Sequence, residues 1–464
     1  MVKRFTRYGV SVCAALAMVA LVPGASGQVV YDDGNAHAIP GDPGFTNGQS
    51  IALQNASGLQ VNTGATVDGG DAAGTQFAGG GIAITAAAGT NINQSAGAVT
   101  GGSAAATAGF SPTSPVSARG GTGVSTAGAF AGGGGTVTGG SAKVEGTVNR
   151  IEARGGTGLQ LNPGATATLA GAALTGGDGN AGRDGSGGAV LTYALGGTAL
   201  RVVDAGPVVI SAGSFTGGEA FAESFNFDSG GATGQGGLAV DVSGGSTLTI
   251  DGGTFRGGNG SGIVTFTASP GVGIGGGAVR VSDAATLTIN AGTFQAGSAG
   301  AGTVPGTEPI TTAEAALAVA GSGASGALRM TINGGTFAGL HGLQTSGVSP
   351  NMTAARIDIL GGDLVGATGG GTGSASPDLS LANPDLSTTI FGSDFLLDGA
   401  AIPFGPVTAT TGTLAGLLAN GSPFEWTFER PNDAPLTVAA AVPEPAALSL
   451  LALGGVALLA RRRA

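Results

Sequence analysis

The stretch that decides the fold is residues 236–258. It reads Gly-Gly-Leu-Ala-Val-Asp-Val, then Ser-Gly-Gly-Ser, then Thr-Leu-Thr-Ile-Asp-Gly-Gly-Thr-Phe-Arg-Gly-Gly. Polar and apolar residues alternate over positions 247–250, which is the pattern of a strand with one buried face. Leu248 and Ile250 are therefore expected to point inward, with Thr247 and Thr249 facing water. Gly252-Gly253 allows a sharp corner at positive φ, and Phe255 returns an apolar side chain to the interior.

The same unit recurs along the chain. The motif phenylalanines are Phe215, Phe255, Phe294 and Phe337, which are 40, 39 and 43 residues apart, and Leu174 continues the series 41 residues upstream. Weaker copies begin near residues 58 and 136. A period near 40 predicts a stacked array rather than separate domains. Strand, glycine corner and strand without helical periodicity predict an all-β fold, a parallel β-helix in which the phenylalanines form a ladder at a spacing of about 4.8 Å.

The segments between these units have even lengths. Residues 178–195, 219–235, 259–275 and 298–314 comprise 18, 17, 17 and 17 residues. Even lengths favour a second, degenerate rung in each repeat, since loops usually vary. The alternative is a set of loops that emerge on one edge of the solenoid as a contact surface. Phe337 and Leu364 are only 27 residues apart, as if one such segment were missing.

Composition agrees with a narrow, extended core. Glycine accounts for 95 of 464 residues, aromatic residues for 5% and hydrophobic residues for 42%. No Gly-X-Y period is present, which excludes collagen. The chain is too apolar for an ordinary disordered linker, although a largely disordered glycine-rich surface filler is a third hypothesis. A long core lined by small aliphatic side chains fits these numbers best.

Charge and cysteine content exclude several classes of function. The chain has 17 Lys and Arg against 28 Asp and Glu, a net charge of −11. Six of the cations lie at the two ends, which leaves 11 against 28 in the body. Such a surface repels nucleic acid, and no basic patch with interleaved aromatic residues is present. The only cysteine, Cys13, lies in the leader, so the rest of the chain forms no disulfide and carries no thiol nucleophile.

The N-terminus has the features of a signal peptide. Three cations within residues 1–8 precede an apolar run at residues 10–22 and a small-residue segment at 23–27. Ala25 at −3 and Gly27 at −1 suit signal peptidase and place Gln28 first in the mature chain. The alternative is a buried hydrophobic helix. Export explains the order of these features better.

The C-terminus combines three elements in order. Pro443-Glu444-Pro445 precedes an apolar run at residues 446–460 and the cluster Arg461-Arg462-Arg463. As a helix, fifteen residues reach only about 22 Å, short of the roughly 30 Å hydrocarbon core. Over residues 442–464 the chain resembles the PEP-CTERM sorting signal. This resemblance implies cleavage near the triplet by an exosortase, transient insertion of the short hydrophobic helix in the inner membrane, and a host that makes extracellular polysaccharide.

Residues 387–440 differ in texture from the repeats. Five of the phenylalanines and the single tryptophan, Trp426, concentrate here. The exposed end of a solenoid invites aggregation, so a β-rich cap is expected, with residues 431–443 as its tether; a small separate β-domain is the alternative. The predicted organisation is a signal peptide (1–27), an N-terminal segment or cap (28–56), solenoid repeats (57–366), a cap and stem (367–440) and the sorting signal (441–464).

No catalytic, cofactor or metal site is predicted. The two histidines, His37 and His341, belong to no metal or catalytic motif, and His341 is expected at a surface turn. Asp32-Asp33 precedes the repeats, where nothing in the sequence determines its geometry. The glycine pattern at residues 271–277 is expected by chance at this glycine content and indicates no nucleotide site. The segment from Asp178 to Asp184 resembles a Ca²⁺-binding nonapeptide only weakly and is interpreted as a loop.

Three equivalent corners carry Asp251, Asn290 and Asn333, which suit such turns because Asp and Asn tolerate the left-handed conformation. The sequence thus predicts an exported, non-catalytic solenoid of the cell surface or extracellular matrix. Its role would be structural or adhesive, through multivalent contact of hydroxyl-rich strands with extracellular polysaccharide. The alternative hypothesis is a polysaccharide lyase or glycoside hydrolase on the same scaffold, which clustered Asp, Arg or Lys residues in a concave groove would favour.

Overall fold

The computed structural model describes residues 28–42, 45–108, 115–146, 150–183, 191–225, 231–265, 271–302, 310–312, 314–320, 327–339, 341–346, 355–366 and 376–441. These residues form strands, turns and corners, and no helix occurs among them. The strands stack in parallel, which confirms the predicted all-β parallel solenoid. The predicted signal peptide, the C-terminal hydrophobic helix and the sorting residues Pro443–Pro445 and Arg461–Arg463 lie outside the described residues.

Each turn of the body contributes three strands, which define three faces. Face 1 consists of Val29–Tyr31, Ile51–Leu53, Ile84–Ala86, Val124–Thr126, Leu159–Leu161, Leu200–Val203, Val240–Ser243, Val279–Ser282, Leu317–Ala320, Leu343–Ser346 and Leu379–Leu381. Face 2 consists of Ala36–Ile39, Gly58–Val61, Asn91–Gln94, Ala129–Gly132, the first parts of Thr166–Thr175 and Val208–Thr216, then Thr247–Ile250, Thr286–Ile289, Arg329–Ile332, Ala355–Ile359 and the start of Leu386–Leu397. Face 3 consists of Thr66–Asp68, Ala98–Thr100, Thr136–Thr138, the last parts of Thr166–Thr175 and Val208–Thr216, then Thr254–Arg256, Thr293–Gln295, Thr336–Ala338 and Asp363–Val365.

One repeat makes one turn of the body. Phe215 pairs in register with Phe255, Phe255 with Phe294, and Phe294 with Phe337. Their rings stack at centroid distances of 4.8, 4.7 and 4.6 Å and are fully buried. The predicted phenylalanine ladder is confirmed, and Leu174 and Leu364 extend it at either end. The interpretation of the intervening segments as a second rung is wrong, because consecutive repeats are directly hydrogen-bonded neighbours.

The intervening segments form a fin of two sheets beside the body. The strands of its exit sheet, where the chain leaves face 3, are Ala72–Gly74, Ala104–Ala108, Ala142–Gly146, Gly179–Arg183, Ala220–Phe225, Gly260–Thr265 and Ala299–Gly302. The strands of its return sheet, which lead back to face 1, are Phe77–Gly79, Val116–Arg119, Arg150–Arg154, Leu191–Leu195, Gly231–Gln235, Val272–Ile274 and Ile310–Thr312. Between the two seven-stranded sheets lies a separate core made mostly of alanine. The fin stops before Leu343, which explains the short spacing of 27 residues between Phe337 and Leu364.

A ladder of glycines joins the fin to the body; we call it the neck. Glycines that precede an exit-sheet strand, such as Gly177, alternate along the solenoid axis with glycines that follow a return-sheet strand, such as Gly197. The N–H of Gly197 donates to the carbonyl of Gly177 at 2.7 Å, and the N–H of Gly218 donates to Gly197 at 2.8 Å. A Cβ on Gly197 would lie 1.9 Å from the carbonyl oxygen of Gly156. Only glycine permits this approach of one backbone to another. The same bonding runs through Gly70, Gly81, Gly102, Gly121, Gly140, Gly156, Gly177, Gly197, Gly218, Gly237, Gly258, Gly276 and Gly297.

The corners between faces 2 and 3 follow the prediction in one respect and correct it in another. Gly253 has the expected positive φ, +114°. Asp251, Asn290 and Asn333 occupy equivalent corners, but none of them is left-handed. Instead, the Asn290 amide donates to the Asp251 carboxylate, and the Asn333 amide donates to the Asn290 side-chain oxygen, each at 2.7 Å. These residues therefore connect successive turns through their side chains.

The C-terminal end is a cap continuous with the body, as predicted. The first half of the strand Leu386–Leu397 pairs in parallel with Ala355–Ile359. Its second half pairs antiparallel with Thr411–Leu418. The remaining cap strands are Ala400–Ala401, Gly405–Pro406, Thr411–Leu418, Pro423–Glu429 and Leu436–Ala440. Trp426 is buried in the main core. Because Leu436–Ala440 pairs with Leu386–Leu397, most of the predicted tether at residues 431–443 is part of the cap.

Candidate functional site

Face 2 presents two outward rows of polar side chains. Its inward positions are apolar, such as Leu248 and Ile250, and the alternate positions face solvent, as the strand period requires. Strand pairing in register aligns the outward residues of successive turns. One row contains Asn91, Thr166, Thr247 and Thr286, and the other contains Gln60, Asn93, Thr168, Thr249, Thr288 and Thr331.

A groove of about 590 Å³ crosses the N-terminal half of face 2. It forms because the turn with Ala129 and Ala131 has short outward side chains, between a turn with Asn91 and Asn93 and a turn with Thr166 and Thr168. No charged side chain lines it. Among the described residues, the side-chain amides of Asn91 and Asn93 make no intramolecular hydrogen bond, although the Asn91 backbone N–H donates to the Ser57 carbonyl. The groove thus combines an apolar floor with available amide and hydroxyl groups, the pattern of a site for an uncharged polar ligand.

A partly buried carboxylate lies where the return sheet meets face 1. Glu314 accepts hydrogen bonds from the Gly277 amide and the Gln235 side chain, each at 3.0 Å. Burial raises the pKa of Glu314, although these hydrogen bonds and the nearby Arg280 oppose the shift. Asp241 lies near the same corner and pairs with Arg280 through two hydrogen bonds of 3.0 Å. Clustered acids and arginines of this kind are what the enzyme hypothesis expects.

The N-terminal turn contains a cluster that sequence reasoning missed. His37 lies between Asp42 on Nδ1 and Asp33 on Nε2, each at 2.9 Å, and its ring stacks on Tyr31 at 3.9 Å. Burial alone would lower the pKa of His37, but the hydrogen bonds and charges of both carboxylates raise it overall. Burial and the charge of Asp42 raise the pKa of Tyr31 to about 12. Asp33 also accepts from Asn35, so its geometry is determined, contrary to expectation. Asp33 and His37 are four residues apart, and this short separation was the sequence feature that could have indicated their contact.

Two other residues noted in the sequence analysis, His341 and Asp178, make contacts within the fold. His341 is buried rather than at the surface, and its Nδ1 lies 2.8 Å from the carbonyl oxygen of Pro377. The predicted loop after Asp178 is the exit-sheet strand Gly179–Arg183, while Asp184 lies outside the described residues. Asp178 accepts the Glu219 amide of the next turn. In the described ranges, no three His, Cys, Asp or Glu side chains are grouped so as to hold a metal ion.

Comparison with known protein families bears on the C-terminal end of the chain. Residues 441–463 match the PEP-CTERM protein-sorting motif. The chain is a PEP-CTERM protein. The motif indicates export and delivery to the cell envelope, and it implies processing by an exosortase. The matched range includes Pro443, Glu444 and Pro445 as well as Arg461, Arg462 and Arg463; their individual roles, and cleavage after Gly27, remain predictions.

This PEP-CTERM protein matches no curated protein and no solved structure. Among its described residues, no helix has the length and apolar character needed to cross a membrane.

Proposed function

We propose that this exported protein is a non-catalytic structural solenoid of the cell surface or extracellular matrix that binds extracellular polysaccharide along face 2. The observation that carries the proposal is the uncharged groove of about 590 Å³, with the amides of Asn91 and Asn93 on one side and the hydroxyls of Thr166 and Thr168 on the other. Sugar rings offer hydroxyl groups to the amides and C–H faces to the alanine floor. Beyond the turn that presents Pro207 and Val209, the outward threonines of face 2 repeat such contacts in the next two turns, at Thr247, Thr249, Thr286 and Thr288.

Repetition is what makes weak contacts useful on this surface. A net hydrogen bond contributes about 0.5–1.5 kcal/mol, too little for one turn to hold a sugar. A polymer that reaches several turns makes its later contacts at high effective concentration, so its overall affinity rises steeply. We therefore expect retention of long chains and little retention of monosaccharides.

The test measures retention and cleavage together. The purified chain is passed over immobilised dextran and cellulose, and bound protein and newly formed sugar chain ends are recorded. The double variant Asn91→Ala/Asn93→Ala should weaken binding by roughly 5- to 100-fold, as the loss of two hydrogen-bonding amides predicts. The matched control Thr254→Ala/Thr293→Ala removes two exposed hydroxyls from face 3 and should bind as the wild type does.

Each outcome distinguishes the hypotheses. Retention without new chain ends, lost in the Asn91/Asn93 variant only, supports a binding protein. New chain ends that disappear in Glu314→Gln would replace this proposal with the alternative of a glycan-cleaving enzyme at the corner near Asp241. Absence of retention on every neutral polysaccharide would refute glycan binding on face 2.

A further inference from the structure

A second surface on this molecule has the opposite electrostatic character from the rest. It lies in the corner between the outer side of the return sheet and face 1, where Glu314 spans from Gln235 on the return sheet to Gly277 at the start of face 1. Five arginines occupy its walls, and we call it the arginine groove. They are Arg119, Arg150 and Arg154 on the return sheet, and Arg201 and Arg280 on face 1.

On the return sheet, three successive outward positions form an arginine–acid–arginine triad. Glu152 pairs with Arg150 at 3.4 Å and also with Arg154. The Arg150 guanidinium lies 5.4 Å from the ring centre of Tyr193 in the next turn. Both arginines remain about half exposed. One carboxylate thus positions two guanidinium groups, and a net positive charge remains.

On face 1, a second triad extends across three turns. Arg201, Asp241 and Arg280 are aligned by strand register. Asp241 receives two hydrogen bonds of 3.0 Å from Arg280 and lies 3.8 Å from Arg201. Asp241 is buried while both arginines are about half exposed. This triad also positions two guanidinium groups and retains one positive charge.

The concentration of cations here is unusual for this chain. The body carries 11 of the 17 Lys and Arg residues against 28 acids, after six terminal cations are subtracted. Five of those 11 line the arginine groove. The acids beside them are Glu152 and Asp241, one in each triad, and Glu314 at the corner. Arg119 pairs in register with Arg154 and makes no ion pair among the described residues. Exposed ion pairs stabilise a protein little, so stability alone does not account for this stripe.

We propose that the arginine groove binds a carboxylate-bearing polysaccharide. Guanidinium groups match carboxylates in shape and can donate two parallel hydrogen bonds. Each arginine has five N–H donors, so those paired with Glu152 or Asp241 retain donors for a ligand. The arginines occupy four of five successive turns, which lie about 4.8 Å apart, and this spacing suits a polymer with repeated anionic groups. Nucleic acid is disfavoured because its dense phosphate charge is repelled by the acidic body outside the groove.

This proposal is independent of face 2, since it concerns another surface and a charged polymer. The test compares binding of the purified chain to polygalacturonate, dextran and double-stranded DNA at low and moderate salt. The variant Arg119→Gln/Arg201→Gln leaves Arg280 in place to hold the buried Asp241. It should bind polygalacturonate about tenfold or more weakly while its dextran binding is unchanged.

The matched control is Arg256→Gln/Arg329→Gln, which removes the same charge from exposed positions on faces 3 and 2. It should retain polygalacturonate binding within about twofold of wild type, since only long-range attraction is lost. Equal weakening in both variants would mean that net charge alone is responsible and would overturn the proposal. DNA binding stronger than polygalacturonate binding would overturn it as well. Loss of dextran binding in Asn91→Ala/Asn93→Ala, with polygalacturonate binding intact, separates the fate of face 2 from that of the arginine groove.

Discussion

Replacing one neck glycine with alanine should damage the fold far more than its single methyl group suggests. Gly197 is buried where the return strand meets face 1, and a Cβ there would lie 1.9 Å from the Gly156 carbonyl oxygen. Acceptable contacts begin near 3.0 Å, so the backbone must move by about 1 Å. That movement breaks the bonds from Gly197 to Gly177 and from Gly218 to Gly197, at 2.7 and 2.8 Å.

The expected cost follows from those two bonds. Each broken bond leaves one buried N–H without a partner, at a cost of about 1–3 kcal/mol per N–H, so Gly197→Ala should lower the free energy of unfolding by at least about 2–6 kcal/mol. Domains are typically stable by only 5–15 kcal/mol. Because a solenoid depends on contacts between neighbouring turns, the loss should be centred on the turns adjoining residue 197.

The assay is urea denaturation followed by far-ultraviolet circular dichroism, together with amide hydrogen exchange. Gly133→Ala is the matched control, because its Cβ would meet only the Gln94 carbonyl oxygen at 4.0 Å and its φ is not positive. It should be neutral or stabilising by up to about 1 kcal/mol. Equal unfolding midpoints for Gly197→Ala and wild type, or unchanged exchange at the neck amides, would refute the account of the neck.

Three further predictions concern the ladder and two ionisable groups. Phe255→Ala should destabilise by about 3–5 kcal/mol because its ring is buried between two stacked phenylalanines, whereas the exposed Phe77→Ala should change stability by under about 0.5 kcal/mol; urea midpoints decide. His37 has a raised pKa, so its contribution to stability should be complete below about pH 6.5 and lost as pH rises through the raised value; an NMR titration midpoint at or below 6.5 would contradict this. Burial raises the pKa of Glu314, so its ionisation should cost stability as pH rises above about 4.5. Glu314→Gln loses one of the two accepted hydrogen bonds, but its stability relative to wild type should be higher at pH 7 than at pH 4. An equal difference at both pH values would argue against burial as the cause.

The body of the solenoid was predictable because the alternation of its residues indicates which side chains are buried and which are exposed. Leu248 and Ile250 alternate with threonines, and Phe255 recurs at the length of one turn, so strand, inward face and stacking partner all follow from local pattern and period. The cap was predictable for a related reason. Aromatic residues such as Trp426 depart there from the 40-residue repeat and cover the apolar end of the solenoid core.

The fin was not predicted because its strands lack the alternation of apolar and polar residues that indicates a buried face. Ala104–Ala108 reads Ala-Ala-Ala-Thr-Ala and Gly231–Gln235 reads Gly-Ala-Thr-Gly-Gln, so inward and outward positions differ little in hydropathy. Their burial depends on a second sheet of equally small residues across a thin core. Even segment lengths indicated regular structure, but not whether it closed a second rung or stacked as a fin.

The candidate sites were also predictable where they depend on local sequence pattern and not where they depend on contacts between turns. Outward threonines on face 2 were expected from the strand period, whereas the groove depends on short side chains at Ala129 and Ala131 between longer ones in adjacent turns. In the arginine groove, Arg201, Asp241 and Arg280 meet because each turn takes about 40 residues, and Gln235 meets Glu314 across 79 residues. Neither set is close in sequence, so only the register of the turns reveals it.

The neck connects the stability of the fold to the second proposal. The arginine groove has one wall on the fin and the other on the body, so its width depends on the glycine ladder between them. Face 2 lies wholly on the body. Gly197→Ala, if the body remains folded, should therefore weaken binding of polygalacturonate while dextran binding on face 2 persists. Loss of both activities together would mean that the neck supports the whole solenoid, and retention of both would mean that the arginines bind without the aid of the corner.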